Sequence, residues 1–527
     1  MFLSTTFGWA QDVELVKDIY PGGSSYPMAF CEYKAKLFFG AREGIGLDAL
    51  WQSDGTDSGT FSILDKDGNR VGAYLMHVYK DKLFFAGGNS QYGTELWVSD
   101  GTPSGTYLVK DIIPGASGSN PSRFMEAAGY LFFATSKTSW AHELWRTDGT
   151  PAGTIRVKDI NPGDNIYTNH LIAFAGKLFF DATHPDYGSE VWVSDGTELG
   201  THLFADLNPG NKSGGFSSPE VFKDRLYFSS TGSKLFVSDG TVSGTYRVQD
   251  SLLVPQDINS PGEFTVLNDK LYFVASNLTV GKELWVSNGT DTGTKVLVET
   301  VAGYNGSNPA YLTRAGDRIF FANLSPGNGS ELWLTDGSAE GTRQLKDINP
   351  GAPSSYPRRF TGLGDRVYFT AQDGSNGEEL WVSDGTDTGT KKIKPSFATA
   401  SSPLELAAIF LTIDTTLFFS AGFDAKGWEL YKTTMRKPLP NAVIIPDKEE
   451  IVAFPNPFSE KLFLSSSTPL TTSEIRLSDC LGKEWPLENI CIRKDGLLEI
   501  GFSESLPVGV YFLYLSELSH PFKLIKE

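Results

Sequence analysis

Hydrophobic and polar positions along this chain follow one pattern that returns many times. The unit Met125–Ile160 contains four short runs of β-branched and aromatic residues, each bounded by Gly, Asp, Asn or Pro. Its second run, Tyr130–Ala134, and its third run, Glu143–Thr147, place large side chains on both faces of a strand. A sheet of such strands must be covered on both sides. The pattern therefore predicts four-stranded antiparallel sheets that stack on one another.

The third run and the turn after it recur at a regular spacing, as in Glu95–Thr106. One aromatic residue marks each copy, at Trp51, Trp97, Trp145, Trp192, Phe236, Trp285, Trp333, Trp381 and Tyr431. Successive marks lie 44 to 50 residues apart, which is the period of a repeat protein whose units bury their apolar faces against neighbours. Four strands per period predict the blades of a β-propeller.

The number of blades depends on how the ends of the repeat region are used. Nine third strands are present, but the unit that ends near Tyr431 has no fourth strand of its own. Val13–Gly22 matches the fourth strand of later units, such as Val157–Gly163, and is in phase with them. We predict an all-β fold in which residues 12–434 form nine blades closed by the N-terminal strand, since closure removes exposed sheet edges. Eight blades is the alternative, with one terminal unit outside the ring.

Two acidic positions recur in most units. The turn aspartates are Asp54, Asp100, Asp148, Asp195, Asp239, Asp336 and Asp384, with Asn288 in the remaining copy. Asp-Gly and Asn-Gly suit turns that need positive φ, so these residues and the strand tryptophans are interpreted as scaffold. The third strand begins with Glu95, Glu143, Glu190, Glu283, Glu331, Glu379 and Glu429. Catalysis needs a few carboxylates in unequal surroundings, so equal copies indicate a structural hydrogen bond.

Composition and motifs exclude several classes of function. A formal charge of −18 argues against a nucleic-acid partner, and the absence of any apolar run of 18 residues predicts no transmembrane helix. No cofactor or metal site is predicted, because the six histidines lack ligand spacing. Calcium is weakly supported by Asp65–Asn69, but Met76 stands where a calcium loop needs Glu, and a polar turn is favoured. Cys480 and Cys491 could form a bridge, although two unlinked thiols are favoured.

Loops that differ between units are the candidate binding positions. The connections between second and third strands, and those between blades, emerge at one end of a propeller and are rich in Tyr, Trp, Asn, Ser and Gly. Such residues suit recognition, because flat amphipathic rings combine with adaptable hydrogen bonding. The aromatic candidates are Tyr26, Tyr92, Trp140, Tyr187, Tyr304 and Tyr356.

The period stops after Thr434. Prolines and a charged stretch mark a linker at residues 435–450, and residues 451–527 predict a small β-sandwich domain. This tail resembles the type A C-terminal sorting domain of the type IX secretion system of the Bacteroidetes. The residues that carry the resemblance are Pro455, Asn456, Pro457, Gly482, Lys483, Gly509, Tyr511, Lys523 and Lys526. The repeats likewise resemble the ELWxxDGT repeat family of secreted proteins from such bacteria.

These resemblances imply export through the periplasm, with the secretion machinery as a partner and the outer surface or the medium as the destination. They also imply removal of the tail in many cases. Residues 1–11 fit this picture, since Gly8-Trp9-Ala10-Gln11 looks like the end of a secretory signal. A basic start and a full apolar segment are missing, so a truncated signal is favoured over coincidence.

Three hypotheses of function follow. The leading one is a surface or extracellular module that binds glycan or protein, for adhesion or capture. The second is a polysaccharide-active hydrolase or lyase that uses acidic residues from the propeller loops. The third is a passive structural protein of the cell surface. The sequence names no ligand.

Overall fold

The computed structural model describes residues 13–46, 48–136, 142–161, 170–250, 256–375, 377–393, 410–423 and 426–434 of the repeat region. In the tail it describes 443–444, 451–454, 461–466, 475–479, 483–485, 487–492, 498–502, 506–507, 509–515 and 522–526. All regular elements in these ranges are β-strands. The chain divides into two compact units, Val13–Thr433 and the tail after it. No helix that could span a bilayer occurs in the described ranges.

The first half of the repeat region forms four antiparallel sheets after an initial strand, β1 (Val13–Lys17). Each sheet is one blade and its strands lie in chain order. Blade 1 is β2 (Met28–Tyr33), β3 (Lys36–Arg42), β4 (Asp48–Ser53) and β5 (Phe61–Ile63); blade 2 is β6 (Gly72–Tyr79), β7 (Lys82–Asn89), β8 (Gly93–Ser99) and β9 (Tyr107–Lys110). Blade 3 is β10 (Ser122–Ala127), β11 (Tyr130–Ser136), β12 (His142–Thr147) and β13 (Ile155–Arg156); blade 4 is β14 (Leu171–Phe174), β15 (Lys177–His184), β16 (Gly188–Ser194) and β17 (His202–Ala205).

Five further blades follow. Blade 5 is β18 (Ser217–Phe222), β19 (Arg225–Ser230), β20 (Lys234–Ser238) and β21 (Tyr246–Arg247), after which β22 (Gln249–Asp250) pairs with β23 (Gln256–Asp257). Blade 6 is β24 (Asn259–Leu267), β25 (Lys270–Ser276), β26 (Glu283–Ser287) and β27 (Lys295–Val298); blade 7 is β28 (Ala310–Ala315), β29 (Arg318–Ser325), β30 (Gly329–Thr335) and β31 (Arg343–Lys346). Blade 8 is β32 (Arg358–Leu363), β33 (Arg366–Gln372), β34 (Glu378–Ser383) and β35 (Lys391–Lys392); blade 9 is β36 (Phe410–Ile413), β37 (Thr416–Ala421) and β38 (Glu429–Thr434), completed by β1.

The ring is closed by its first strand. β1 pairs antiparallel with β38, with Val13 opposite Thr433 and Leu15 opposite Tyr431. The first strand of every blade contacts the first strand of the next, and β36 of blade 9 contacts β2 of blade 1. The nine-bladed propeller predicted from the sequence is confirmed in the described residues. β1 supplies the fourth strand that blade 9 lacks, so β38 is paired on both sides and the two ends of the ring are joined.

Apolar side chains from neighbouring blades form the core. The second strands are almost fully buried, and Phe39, Phe85 and Phe133 have no exposed surface. Phe39 stacks on Trp51 with ring centroids 6.2 Å apart, and Phe273 stacks on Trp285 in the same way. Burying one such side chain contributes about 1.5–3 kcal/mol. The marker tryptophans therefore belong to the packing between strands, although Trp145 is only half-buried.

The Asp-Gly-Thr turn is held by its own side chains. Asp195 Oδ1 accepts hydrogen bonds from Thr197 N at 2.8 Å and from Thr197 Oγ1 at 2.7 Å. Gly196 has a φ of +89°, a left-handed conformation that favours glycine. At Gly200 a Cβ would lie 2.0 Å from Asp195 Oδ1, so a side chain would not fit there. In blade 6, Asn288 Oδ1 accepts the same two bonds from Thr290. The repeated Asp-Gly-Thr-x-x-Gly-Thr code thus describes one compact turn.

Equivalent bonds are made by Asp54, Asp100, Asp148, Asp239, Asp336 and Asp384. The calcium-like segment is also a turn, in which Asp65 Oδ1 accepts from Asp67 N and Asn69 N. No group of three metal-ligating side chains occurs in the ranges given above.

The tail is a two-layered β-structure. One sheet contains, in spatial order, β39 (Val443–Ile444), β40 (Ile451–Phe454), β41 (Lys461–Ser466), β45 (Leu498–Phe502) and β44 (Leu487–Ile492). The other contains β43 (Glu484–Trp485), β42 (Ile475–Asp479), β46 (Gly509–Leu515) and β47 (Phe522–Lys526). Leu462 and Ile500 from the first sheet share a core with Leu477 and Leu513 from the second. This packing is the predicted β-sandwich.

Several sorting residues can be placed in that sandwich. Gly509 begins β46, while Lys523 and Lys526 lie in β47. Tyr511 is buried and donates a hydrogen bond to the Pro507 carbonyl at 2.7 Å, and the Lys483 ammonium lies over the Trp485 ring. Pro455, Asn456, Pro457 and Gly482 lie outside the described residues, as does Cys480.

Replacing a turn aspartate tests the turn's hydrogen bonds. Asp195→Ala is expected to lower the free energy of unfolding by about 0.5–1.5 kcal/mol, because two acceptor contacts are lost. Asp195→Asn is expected to stay within about 0.5 kcal/mol of wild type, since Asn288 makes the same bonds in blade 6. Denaturant unfolding of the two variants measures the difference. Equal losses for both would show that the charge, rather than the acceptor, is what the turn needs.

Candidate functional site

The variable loops share one end of the ring. Because the strands of each blade are antiparallel, the connection between second and third strands lies at the same end as the connection to the next blade. We call this end the upper face. The Asp-Gly-Thr turns lie at the opposite end, so the candidate binding loops and the repeated turns are separated by the length of a strand.

A buried glutamate fastens the inter-blade loop in five blades. Glu331 Oε2 accepts from Ile348 N at 2.7 Å and from Ser355 Oγ at 2.6 Å, while its Oε1 accepts from Ser355 N at 2.8 Å. Matching bonds are made by Glu95, Glu190, Glu283 and Glu429, all without exposed surface. Burial raises the pKa of each carboxyl group, and the hydrogen bonds partly oppose that shift. We call this arrangement the glutamate clamp.

Two blades have no glutamate at the clamp position. Blade 1 has Ala49 and blade 5 has Lys234 at the clamp position. Glu143 of blade 3 contacts Arg156 and Glu379 of blade 8 pairs with Lys392, and much of the loop that follows each of these blades lies outside the described residues. Blade 5 compensates by pairing β20 directly with β24 of blade 6. The upper face is therefore not a uniform ring.

The residue just before the clamp position varies most. In blades 1 to 9 it is Asp48, Thr94, His142, Ser189, Ser233, Lys282, Ser330, Glu378 and Trp428. Small or polar residues predominate, but the adjoining blades 8, 9 and 1 carry Glu378, Trp428 and Asp48. These three blades are consecutive in the ring, and we call the stretch from blade 8 through blades 9 and 1 to blade 2 the arc.

A chain of contacts crosses this arc from blade 9 to blade 2. Tyr26 stacks on Trp428 at 6.3 Å between ring centroids, and the Arg42 guanidinium lies 5.6 Å from the Tyr26 centroid. Arg42 Nε donates to Asp48 Oδ1 at 2.9 Å, and the Tyr74 hydroxyl donates to Asp48 Oδ2 at 3.4 Å. Asp48 therefore holds one cation and one phenol in place. We call these five residues the arc network.

A cavity of 380 Å³ opens beside Asp48 and Tyr74. Its lining residues are Gly46, Asp48, Arg70, Tyr74, Gly88, Asn89, Ser90, Gly93 and Thr94. Its volume is within the range of small-ligand sites. Arg70 is oriented by Glu43, whose Oε2 accepts from its Nε and Nη2. Carboxylate, guanidinium, amide and hydroxyl groups therefore surround one aromatic ring.

Missing side chains at two glycines make room for that ring. A Cβ on Gly72 would come within 2.8 Å of the Tyr74 hydroxyl, and one on Gly88 within 3.0 Å of the Tyr74 ring. Tyr74 is 41% exposed, and burial of its hydroxyl together with nearby Asp48 raises its pKa. The phenol is thus neutral at physiological pH and acts as a hydrogen-bond donor. Part of its side chain is exposed in the wall of the cavity.

The aromatic residues predicted from the sequence are not gathered in one place. Of these, Tyr26 joins the arc network, whereas Tyr92 packs edge-on against Trp97 and belongs to the core between blades 1 and 2. Tyr187 packs on His184. Tyr304 and Tyr356 are exposed, and Trp140 lies outside the described residues.

The sequence reasoning missed most of the arc network and the cavity. Asp48, Arg42, Arg70 and Tyr74 were not among its candidates. The sequence did contain a signal for blade 1. Asp48 stands where most units have a small polar residue, and Ala49 stands where most have the clamp glutamate.

Backbone strain marks two of the tyrosines. Tyr26 has φ of 46° and Tyr356 has φ of 48°, while the equivalent positions elsewhere hold Asn120 and Asn308 with φ of 49° and 50°. Asn tolerates this left-handed region, but for other residues it costs about 1–2 kcal/mol. Two aromatic rings are therefore presented at the upper face in spite of local strain, which points to a use for them.

Comparisons with known proteins leave the family open. No family model matches the chain, and no curated protein matches it. Among solved structures, the computationally designed Ika8 protein has 13% identity and a TM-score of 0.38, covering 68% of this chain and 94% of its own. Puromycin hydrolase has 15% identity and a TM-score of 0.35, covering 67% of this chain and 59% of its own. A prolyl endopeptidase has 13% identity and a TM-score of 0.36, covering 69% and 55%. The match spans less than two thirds of both enzymes.

Glu331→Gln tests the glutamate clamp. An amide nitrogen would face an N–H or O–H donor, so the unfolding free energy is expected to fall by about 1–3 kcal/mol at neutral pH. Burial raises the pKa of Glu331 above its ordinary 4.5, so the folded chain binds more protons than the unfolded one. The stabilisation that comes from this raised pKa is fully present below pH 4.5. It is lost as the pH rises through the pKa that Glu331 has in the folded state.

The stability advantage of wild type over Glu331→Gln should therefore widen as the pH is lowered from neutral towards 4.5. Thermal unfolding across that range measures it. Ser355→Ala is the control, because it removes a donor to the same carboxylate and leaves the titrating group in place. A wild-type advantage that shrinks on acidification would mean that the hydrogen bonds outweigh burial.

Proposed function

We propose that this protein is an exported surface or extracellular binding module that holds glycan in the cavity between blades 1 and 2. The observation that carries the proposal is the arc network, which positions Tyr74 and Asp48 at the cavity wall. A sugar ring has an apolar C–H face and a rim of hydroxyl groups. An exposed phenol ring suits the face, and the groups of Asp48, Arg70 and Asn89 suit the rim.

Binding is better supported than hydrolysis or cleavage of polysaccharide. General acid–base chemistry needs a carboxyl group held as a proton donor beside one that stays ionised. Asp48 is the carboxylate in the cavity lining, and both of its oxygens already accept bonds, from Arg42 and Tyr74. That arrangement orients a recognition surface. The proposal requires no cofactor.

Export is the second part of the proposal. The resemblance of the tail to a type IX sorting domain supports it, and the repeats resemble those of secreted proteins. In this proposal the secretion machinery recognises the tail, and the propeller is delivered to the outer surface or the medium. A module outside the cell meets polysaccharides and surface proteins, which suits a ligand site on the upper face.

A glycan array probed with the full chain tests ligand binding. Tyr74→Ala should weaken binding of any glycan bound by wild type about tenfold or more, because the stacking face is lost and Asp48 loses a hydrogen bond that orients it; tenfold is about 1.4 kcal/mol. Tyr304→Ala is the matched control, since this 80% exposed tyrosine lies in the loop after blade 6, outside the arc. Binding that is equal in both variants would remove the cavity from the proposal. Capture of a protein alone would replace glycan by protein as the ligand.

Deletion of residues 451–527 tests export. In a host with type IX secretion, the full chain carrying a functional secretory signal should reach the surface or the medium. The truncated chain should accumulate in the periplasm, because the sorting signal is gone. Immunoblots of cell fractions measure the distribution. Equal export of both chains would contradict the role given to the tail.

A further inference from the structure

A second charged group lies on the same arc, on blade 8. Glu378 occupies the position that Asp48 has in blade 1, just before the clamp position. Arg358 donates to Glu378 through Nε at 2.9 Å and Nη2 at 2.5 Å, and Arg359 donates through Nη1 at 3.2 Å. Two guanidinium groups therefore share one carboxylate, which leaves a positive group on a chain of formal charge −18.

The positive side of this group faces solvent. The Arg358 side chain is 47% exposed, whereas Glu378 is 18% exposed. Arg358 uses one side of its fork on Glu378, and its Nη1 has no partner among the described residues. Asp373 and Glu379 of blade 8 both pair with Lys392, and Glu263 accepts a hydrogen bond from the Tyr311 backbone N–H at 3.1 Å. A donor set for an incoming anion is thus already oriented by Glu378.

Exposed tyrosines flank the arginines. Tyr356 precedes Arg358 by two residues and is 61% exposed, and Tyr311 of blade 7 is 47% exposed and packs on Phe360. Tyr356, Arg359 and Tyr311 all have positive φ, of 48°, 59° and 62°. The equivalent residues in blade 1 include Ala29, and in blade 5 Ser218, so the bulged strand itself does not demand large side chains. Aromatic and cationic groups are held here in strained backbone.

We propose that this group, Arg358, Arg359, Tyr311 and Tyr356, is a second subsite that binds the anionic group of an acidic saccharide. The inference rests on the proposed glycan-binding function and names the class of glycan. Arginine matches a carboxylate or a sulfate with paired N–H donors, and the tyrosine rings offer faces for the sugar. Arg358 and Arg359 lie at the blade 8 end of the arc and the cavity lies at its other end, so one acidic polysaccharide chain is the ligand that would engage both.

Binding of full-length protein to three probes tests the proposal. The probes are a short oligogalacturonate, a sulfated dextran and neutral dextran, measured by calorimetry at fixed salt. Wild type should prefer the acidic probes. The carboxylated and sulfated probes show which anion the arginines accept.

Arg358→Gln and Glu378→Gln form the decisive pair, because each breaks the same ion pair. Arg358→Gln should weaken binding of the acidic probe about tenfold. Glu378→Gln keeps both arginines and one side-chain oxygen that accepts from them, so their orientation is retained while the competing charge is removed, and binding should be equal or tighter. Equal losses in both variants would show that the ion pair only stabilises blade 8. Thermal unfolding of each variant identifies that outcome.

The same experiment separates this inference from the proposed function. Glycan binding that depends on Tyr74 but shows no preference for acidic probes would overturn the subsite alone. Acidic binding that depends on Arg358 and not on Tyr74 would support the subsite and remove the cavity. No binding of any saccharide would overturn both.

Discussion

A buried carboxylate that recurs in five blades is the interaction on which the upper face depends. A carboxylate without exposed surface is costly unless donors surround it, and each glutamate clamp supplies donors from the loop that leads to the next blade. If the loop moved away, the carboxylate would stay buried without hydrogen-bond donors, which is energetically costly. In blade 9 the donors are Ile19 N and the Ser25 hydroxyl, so the same interaction also fastens the two ends of the ring together.

The clamp explains where the ring can vary. In a blade that has the clamp, the buried carboxylate fixes the connection to the next blade. In blade 1 the clamp is replaced by Ala49, and the loop that follows is held instead by Asp65, which accepts from Asp67 N and Asn69 N. That loop contributes Arg70 to the lining of the cavity. Loss of one structural carboxylate therefore coincides with the appearance of a ligand-sized space.

Periodicity made the fold predictable and hid most of the site. Nine copies of one aromatic mark, with a spare fourth strand at Val13–Gly22, were enough to predict the closed ring that β1 and β38 form. The turn residues were also interpretable, because Asn288 showed that an acceptor, rather than a charge, was conserved between units. The arc network could not be predicted in the same way. Asp48 and Trp428 are 380 positions apart, and their proximity depends on ring closure and on the direction of individual side chains.

The two carboxylates on the arc, Asp48 in blade 1 and Glu378 in blade 8, occupy the same position of the repeat but have different partners. In blade 1, Asp48 is tied to Arg42 and Tyr74, so the carboxylate orients an aromatic wall and Arg70 is oriented separately by Glu43. In blade 8, Glu378 stands at the same position but pairs with Arg358 and Arg359 of β32. The exposed group there is therefore the guanidinium of Arg358. One position in the repeat thus produces a polar aromatic cavity in one blade and a cationic surface in another. Such differences make the two ends of the arc unequal, although the blades are nearly identical. A ligand that needs both the cavity and the cationic surface can therefore lie along the arc in only one orientation.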